Sequence, residues 1–485
     1  MNKELRRVSI VVLIMFLALF GSSTIIQLFQ QNNLKADSRN VRQFYAGFNT
    51  QRGAILVDGQ PIAQSVASDD VYKYQRVYTN GPLYSAVTGY YTLNQGSTGI
   101  EGAENQDLSG TSSDQFFSQI NQIVTGQDPK GATVSLTIDA KVQQAAWDAL
   151  GNYTGAVVAI DPKTGGILAM VSKPTFDPNT LAVHDTKQVI ATYKQLLADS
   201  GDPLINRTIN GKLDPPGSTF KLVVSSAAFA NGFTPDSTFP NPSRLQLTGT
   251  NTYITNSEGG SCGGGETASI KVALQYSCNI PFAQLGQQLG NEVVGQQARA
   301  FGFGDDSLTI PMKVTPSVYT QTSDPARQEL SSFGQADDRA SPLQMAMVSS
   351  AIANGGVLMK PNLVQSVTSP DLTVKQSSPV QYGTPISSDI ASTLTSLMVN
   401  NVDNGAASNA RISGVQVAGK TGTAQNGSRN QLPYTLWFTG FAPADDPQVA
   451  VAVVVQDGGG IGQAGFGNTL AAPIAKKVIE AVLSR

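Results

Sequence analysis

Apolar and polar positions divide the chain into three stretches of different rhythm. From Val8 to Leu34 no residue is charged, and residues 10–20 are almost continuously apolar. Extended to Phe29, that run is long enough to cross a bilayer as a helix. From Asp37 to about Leu150 the pattern is mixed and rich in turn residues. Residues 53–59 read as a strand and turn, 95–102 as a glycine-rich loop, 133–138 as an alternating strand and 140–150 as a helix. At Gly155 the rhythm changes again. Residues 156–160 and 167–171 are apolar strands joined by Asp161-Pro162-Lys163-Thr164-Gly165-Gly166, a hairpin signal. Residues 415–418, 435–441 and 449–455 supply three more strands near the other end, and 470–483 close as a helix. The sequence between is mostly helical. This predicts an α+β design, a five-stranded antiparallel sheet built from both ends of one region and covered by helices. The expected division is 1–34 as a basic stub and membrane anchor, 35–150 as a β-rich non-catalytic pedestal, and 151–485 as the main domain. No further module is expected after the last helix.

Charge and rare residues narrow the chemistry. The net charge is −3, and no basic run occurs outside the first seven residues, so nucleic acid is not expected as a partner. Lys3, Arg6 and Arg7 precede the apolar run, which places that end in the cytoplasm and the bulk of the chain outside the membrane. A cleaved signal peptide ending near Gly21-Ser22-Ser23 is the alternative, but apolar residues resume at Ile25-Ile26 and Leu28-Phe29, which favours an uncleaved anchor. The chain has one histidine, His184, in a segment with no other catalytic signature. One His and two Cys cannot build an ordinary closed zinc site without carboxylates. No metal or cofactor is expected, and a serine enzyme here would need a base other than imidazole.

Three short motifs supply one. Pro215-Pro216-Gly217 stops the preceding chain, and Ser218-Thr219-Phe220-Lys221 opens an apolar run that ends at Asn231-Gly232. The spacing predicts a buried helix with Ser218 and Lys221 on one face. Alone, S-x-x-K reads more readily as a capping serine and a snorkelling lysine. Ser277-Cys278-Asn279 follows at the end of a helix-like run, and Lys420-Thr421-Gly422-Thr423 lies directly after a predicted strand. Each is common by chance; the ordered trio is not. Ser218 would attack an amide carbonyl and Lys221 would take its proton. Ser277 could relay a proton to the leaving amine. Asn279 could hold Lys221 or the substrate amide. Lys420 would add positive charge beside Ser277. Thr421 and Thr423 could bind a substrate carboxylate, while Gly422 leaves room for the substrate against the strand.

With these motifs the chain resembles a class B high-molecular-weight penicillin-binding protein of the actinobacterial type. The resemblance covers nearly the whole length. It includes Arg52-Gly53-Ala54-Ile55, Asn206-Arg207, Ser341-Pro342-Leu343-Gln344 and Trp437-Phe438-Thr439-Gly440-Phe441-Ala442-Pro443. It implies a peptidoglycan D,D-transpeptidase that forms an acyl-enzyme at D-Ala-D-Ala of stem peptides, with β-lactams acylating the same serine. It also implies a membrane glycan polymerase as a partner and a role in cell-wall synthesis, division or shape. Two features depart from the family pattern. Gly334-Gln335-Ala336 stands where the family often has Gly-Gln-Gly, and the middle of S-x-N is Cys278. Outside the membrane, Cys278 and Cys262 are expected to pair as a disulfide, two free thiols being the alternative. A secreted β-lactamase shares the trio, but Glu266, Glu292 and Glu329 lie outside the E-x-x-L-N pattern such enzymes use. A D,D-carboxypeptidase and a non-catalytic β-lactam sensor remain as alternatives.

Overall fold

The structure is a computed structural model and describes residues 2–30, 48–115, 125–126, 128, 130–257, 259–427 and 431–485. The expected junction at residues 34 and 35 lies outside the described residues. Helix α1 (Asn2–Thr24) runs on through a π-helical turn, Ile25–Phe29. Among the described residues, Lys3–Leu28 is the one helix long and apolar enough to cross a membrane, with a mean hydropathy of 2.4.

Two sheets organise the rest. Strands β1 (Ile55–Val57), β2 (Gln60–Ala67), β3 (Tyr74–Tyr78) and β4 (Thr133–Leu136) belong to the first. Helix α2 (Ala140–Leu150) and strands β5 (Gly155–Ile160) and β6 (Ile167–Lys173) follow. Then come α3 (Lys221–Ala230), α4 (Ile280–Leu289), α5 (Pro342–Ala353), β7 (Val364–Thr368) and β8 (Val374–Gln376). The chain ends with β9 (Ala418–Asn426), β10 (Leu432–Ala442), β11 (Val449–Val455) and α6 (Ala471–Leu483). The first sheet has the order β8-β7-β4-β1-β2-β3. Its outer strands return from far along the chain: Val367 lies opposite Val134 and Thr368 opposite Thr133. In the other direction, α2 packs on β6 and α6 of the second sheet. Both sides of the expected division at residue 150 thus exchange elements.

The second sheet has the order β9-β10-β11-β5-β6, and every neighbouring pair is antiparallel. All seven residues of β11 are buried, because helices cover both faces. Strand alternation sorts them into two cores. Ala450, Ala452 and Val454 join the core that holds Met345 and Val348 of α5. Val449, Val451, Val453 and Val455 join Val142 of α2 and Val478 and Ile479 of α6. The K-T-G motif lies on a strand, but that strand starts at Ala418, where the expected one at 415–418 ends, and holds the motif in its first half, with Lys420 opposite Thr439 and Gly422 opposite Trp437. The pairing with β10 makes this segment a strand despite its glycines. As an edge strand, β9 keeps one row of peptide groups free of a strand partner.

In the first sheet's layer the glycine-rich loop has a structural task. The Glu101 carboxylate accepts from Arg52 Nε and Arg76 Nε, each at 2.6 Å, and all three side chains are buried. Burial works against the Glu101 charge, but the two guanidiniums outweigh it and hold the carboxyl below its usual range. Removing the carboxylate leaves two buried guanidiniums without a counter-charge. Glu101→Ala is expected to lower stability by about 3–5 kcal/mol, read as a loss in thermal or denaturant unfolding.

Candidate active site

The segment carrying Ser218 is a 3₁₀ turn, Gly217–Phe220, followed by α3, rather than one continuous helix. Gly217 has φ +53°, and its N–H donates to Gly334 O at 2.9 Å. A Cβ on Gly334 would sit 2.1 Å from Gly217 O, so only glycine fits there. From the other side Trp437 Nε1 donates to Pro215 O at 2.9 Å. Asp214, just upstream, is partly buried and accepts from Gln456 Nε2 at 2.6 Å and Thr435 Oγ1 at 3.2 Å; loss of solvent around it pushes its carboxyl up. The turn is therefore clamped between β10 and the loop at Gly334.

Lys221 is fully buried at the start of α3. Its Nζ donates to Ser277 O at 2.8 Å and to Asn279 Oδ1 at 2.9 Å. The Phe282 and Phe333 rings flank it. Burial first, and the charge of Lys420 second, press its pKa well below the usual lysine range. A neutral amine has two N–H bonds and one lone pair. Both N–H groups are taken by the S-x-N segment, which leaves the lone pair free to accept a proton. Ser218 is 7 % exposed, and its hydroxyl makes no hydrogen bond among the described residues. Lys420 is also buried and donates to Ser277 Oγ at 2.7 Å and Thr421 O at 2.9 Å; burial pushes its pKa down to about 7. Ser277 itself has φ +59°, a left-handed conformation that serine rarely adopts and that strains the backbone. Ser277 thus meets both lysines, one through its carbonyl and one through its hydroxyl.

On β9 the alternation of side chains separates Lys420 and Gly422 from Thr421 and Thr423. A Cβ on Gly422 would meet Pro216 O at 3.0 Å and Thr219 Cγ2 at 3.2 Å. The missing side chain therefore makes room for the nucleophile turn and not for a ligand, which corrects the expectation for that glycine. Thr421 Oγ1 donates to Ala406 O at 3.1 Å, so its proton is already committed. Thr423 Oγ1 accepts from Gly467 N at 3.2 Å, which leaves its proton for an incoming carboxylate. Cys262 and Cys278 are joined as a disulfide. His184 lies far from this cluster in its bonding, with Nδ1 paired to Asp70 at 2.5 Å. The spacing of the motifs gave no hint of Trp437, Asp214, Gln456 or Asn256, all of which brace the site from elsewhere.

The family described as penicillin binding protein transpeptidase domain matches residues 155–480. The chain belongs to that family. The penicillin binding protein A dimerisation domain matches residues 52–134. Among curated relatives, the peptidoglycan D,D-transpeptidase PbpA of Mycolicibacterium smegmatis is 41% identical over 491 aligned positions, covering 100% of this chain and 99% of that protein. PbpA of Mycobacterium tuberculosis is 39% identical over the same span. A solved structure of M. tuberculosis penicillin-binding protein A as a ceftriaxone acyl-enzyme superposes with a TM-score of 0.87 at 39% identity, covering 90% of this chain and 100% of that one. A penicillin G acyl-enzyme of the same protein superposes with a TM-score of 0.85.

One departure from the usual family sequence has a local cost. Ala336 sits at φ +57°, where a Cβ crowds the following carbonyl. Ala336→Gly is expected to raise stability by about 1 kcal/mol, because the relieved strain exceeds the extra chain entropy of glycine. Matched thermal unfolding of the two proteins checks this. The paired lysines also set a pH profile. Acylation should rise as Lys221 loses its proton, well below the usual lysine range, and fall as Lys420 loses its own near about 7. The second-order rate constant of acylation by a β-lactam, measured against pH, reports both limbs of the free protein.

Proposed function

We infer that the protein is a serine-type peptidoglycan D,D-transpeptidase in which Ser218 is the acylated nucleophile and Lys221 its base. The observation that carries this reading is the Lys221 amine, buried, without a carboxylate partner, and with both N–H groups donated to the Ser277–Asn279 segment. Ser218 Oγ attacks the carbonyl of the penultimate D-Ala of a stem peptide as its proton passes to Lys221 Nζ. Backbone N–H groups of Ser218 and Thr423 stabilise the oxyanion, an effect worth about 3 kcal/mol per donor in related acyl transfer. The C–N bond breaks. The proton returns through Ser277 Oγ to the amine of the departing D-Ala. An amino group of a neighbouring stem then attacks the ester, its proton returns to Ser218 Oγ by the same path, and a new amide forms. The Thr423 hydroxyl receives the terminal carboxylate, and protonated Lys420, held on Ser277 Oγ, adds positive charge to the site. An arriving anion favours the charged lysine, so substrate binding itself raises the Lys420 pKa. A β-lactam presents the same carbonyl and carboxylate but has no separate leaving group to depart, so it stays on Ser218.

Residues 35–150 act as a non-catalytic pedestal, α1 anchors the chain in the cytoplasmic membrane with the catalytic domain outside, and a membrane glycan polymerase supplies the strands that are cross-linked. Division or elongation of the cell wall is the process served. Labelled penicillin tests the core of this reading. A long-lived adduct is expected on the unmodified chain, and both Ser218→Ala and Lys221→Ala should lose it by at least about a thousandfold in rate. Rapid release of hydrolysed drug points instead to a β-lactamase. Supplied with a stem peptide and an acceptor amine, the protein should yield cross-linked product; D-Ala release without that product is the signature of a carboxypeptidase.

A further inference from the structure

Asn279 is the residue at the N-terminal end of α4, where an asparagine side chain ordinarily folds back to accept an N–H of its own first helical turn. It does not do so here. Its Oδ1 accepts from Lys221 Nζ, and its Nδ2 donates to Thr255 O at 3.1 Å. The helix end is served from another loop. Asn256 Oδ1 accepts the N–H of Asn279 at 2.9 Å and that of Ile280 at 3.1 Å. Pro281 comes next and has no N–H to satisfy.

Asn256 is itself fixed. It is 3 % exposed, and its Nδ2 donates to Gly260 O at 3.1 Å and to Asn241 Oδ1 at 3.3 Å. Asn241, fully buried, donates to Cys262 O at 2.7 Å and Gly265 O at 3.0 Å. Cys262 is bonded to Cys278, the residue between Ser277 and Asn279. The loop that carries Asn256 is thus tied to the S-x-N segment by a covalent bond as well as by the carboxamides.

We propose that Asn256 is a positioning residue of the acylation site: by accepting the two N–H groups at the start of α4 it fixes the Asn279 backbone so that the Asn279 carboxamide holds the Lys221 amine. This rests on the reading of Lys221 as the base for Ser218. Without Asn256 the two N–H groups are orphaned, and the Ser277–Asn279 backbone must shift to find them other acceptors. That shift carries the Asn279 carboxamide away from the Lys221 amine. The other groups around Lys221 do not replace it: Lys420 is the charged group facing it, Phe282 and Phe333 present rings, and Ser277 O already accepts one N–H.

The test is the rate of acylation of the full chain by a fluorescent penicillin in five proteins: unmodified, Asn256→Leu, Asn256→Asp, Asn279→Ala and the Asn256→Leu/Asn279→Ala double variant. Asn256→Leu keeps the size and removes the acceptor, and a fall of about a hundredfold is expected from a misplaced base. Asn256→Asp keeps the acceptor for α4 but loses the donor to Gly260 O and Asn241 Oδ1, and should recover part of that rate. In the Asn279→Ala background Asn256→Leu should cost little more, since the group it acts through is gone. The proposal is overturned if Asn256→Leu acylates at the unmodified rate, or if the two single losses multiply in the double variant. Should the leucine variant fail to fold, an aspartate variant that folds but acylates no faster than Asn279→Ala overturns it as well. Failure of the underlying reading looks different: the unmodified chain would not form an adduct, or Ser218→Ala would still form one.

Discussion

Two lysine side chains, Lys221 and Lys420, are buried side by side, and neither meets a carboxylate among the described residues. A charged amine in such a place is strongly disfavoured, and two are worse than one. The site must therefore satisfy the amines with neutral acceptors, and the Ser277–Asn279 segment does so from a strained backbone. That one constraint explains why three motifs far apart in sequence are needed at one point. The first brings the nucleophile and its base, the second brings the acceptors, and the third brings the second amine on an edge strand. It also explains why the positive φ at Ser277 is tolerated: its carbonyl serves one lysine and its hydroxyl the other.

The scaffold is built to hold this arrangement still. The central strands of the second sheet are apolar on both faces, so helices pack against both, and β9 is left at the edge with its motif facing the nucleophile turn. The turn is pinned by backbone contacts that glycines alone permit, and by an indole that donates from β10. Rigidity comes from close backbone approach more than from side-chain bonds, which suits a reaction in which the serine must be reached by a carbonyl without itself moving far.

Much of this was legible in the sequence, for a physical reason. Ser218 and Lys221 are neighbours because of helical spacing, and β5, β6, β10 and β11 are apolar because both their faces are covered; both are local properties. The bounds of the edge strand were misplaced because Gly419, Gly422 and two threonines carry little strand signal, and only the pairing with β10 extends it to Asn426. Gly422 looked like space for a ligand, and Thr421 like a carboxylate binder, because a sequence does not say which atoms have already claimed them. Asn256 and Trp437 were invisible for the same reason: their partners lie on other elements. The strands β7 and β8 escaped because β8, Val374–Gln376, is exposed along its whole length and has no apolar face to advertise.

Those last two strands carry a consequence for how the molecule comes into being. β4 has β1 on one side, and its other edge is covered only when residues 364–368 arrive, after most of the catalytic region has been made. Until that segment is made, β4 of the first sheet has a bare edge, of the kind open to pairing with another strand. The two sheets are in this sense a single topological unit, threaded through each other, and a chain interrupted between them would inherit a support that has lost its rim.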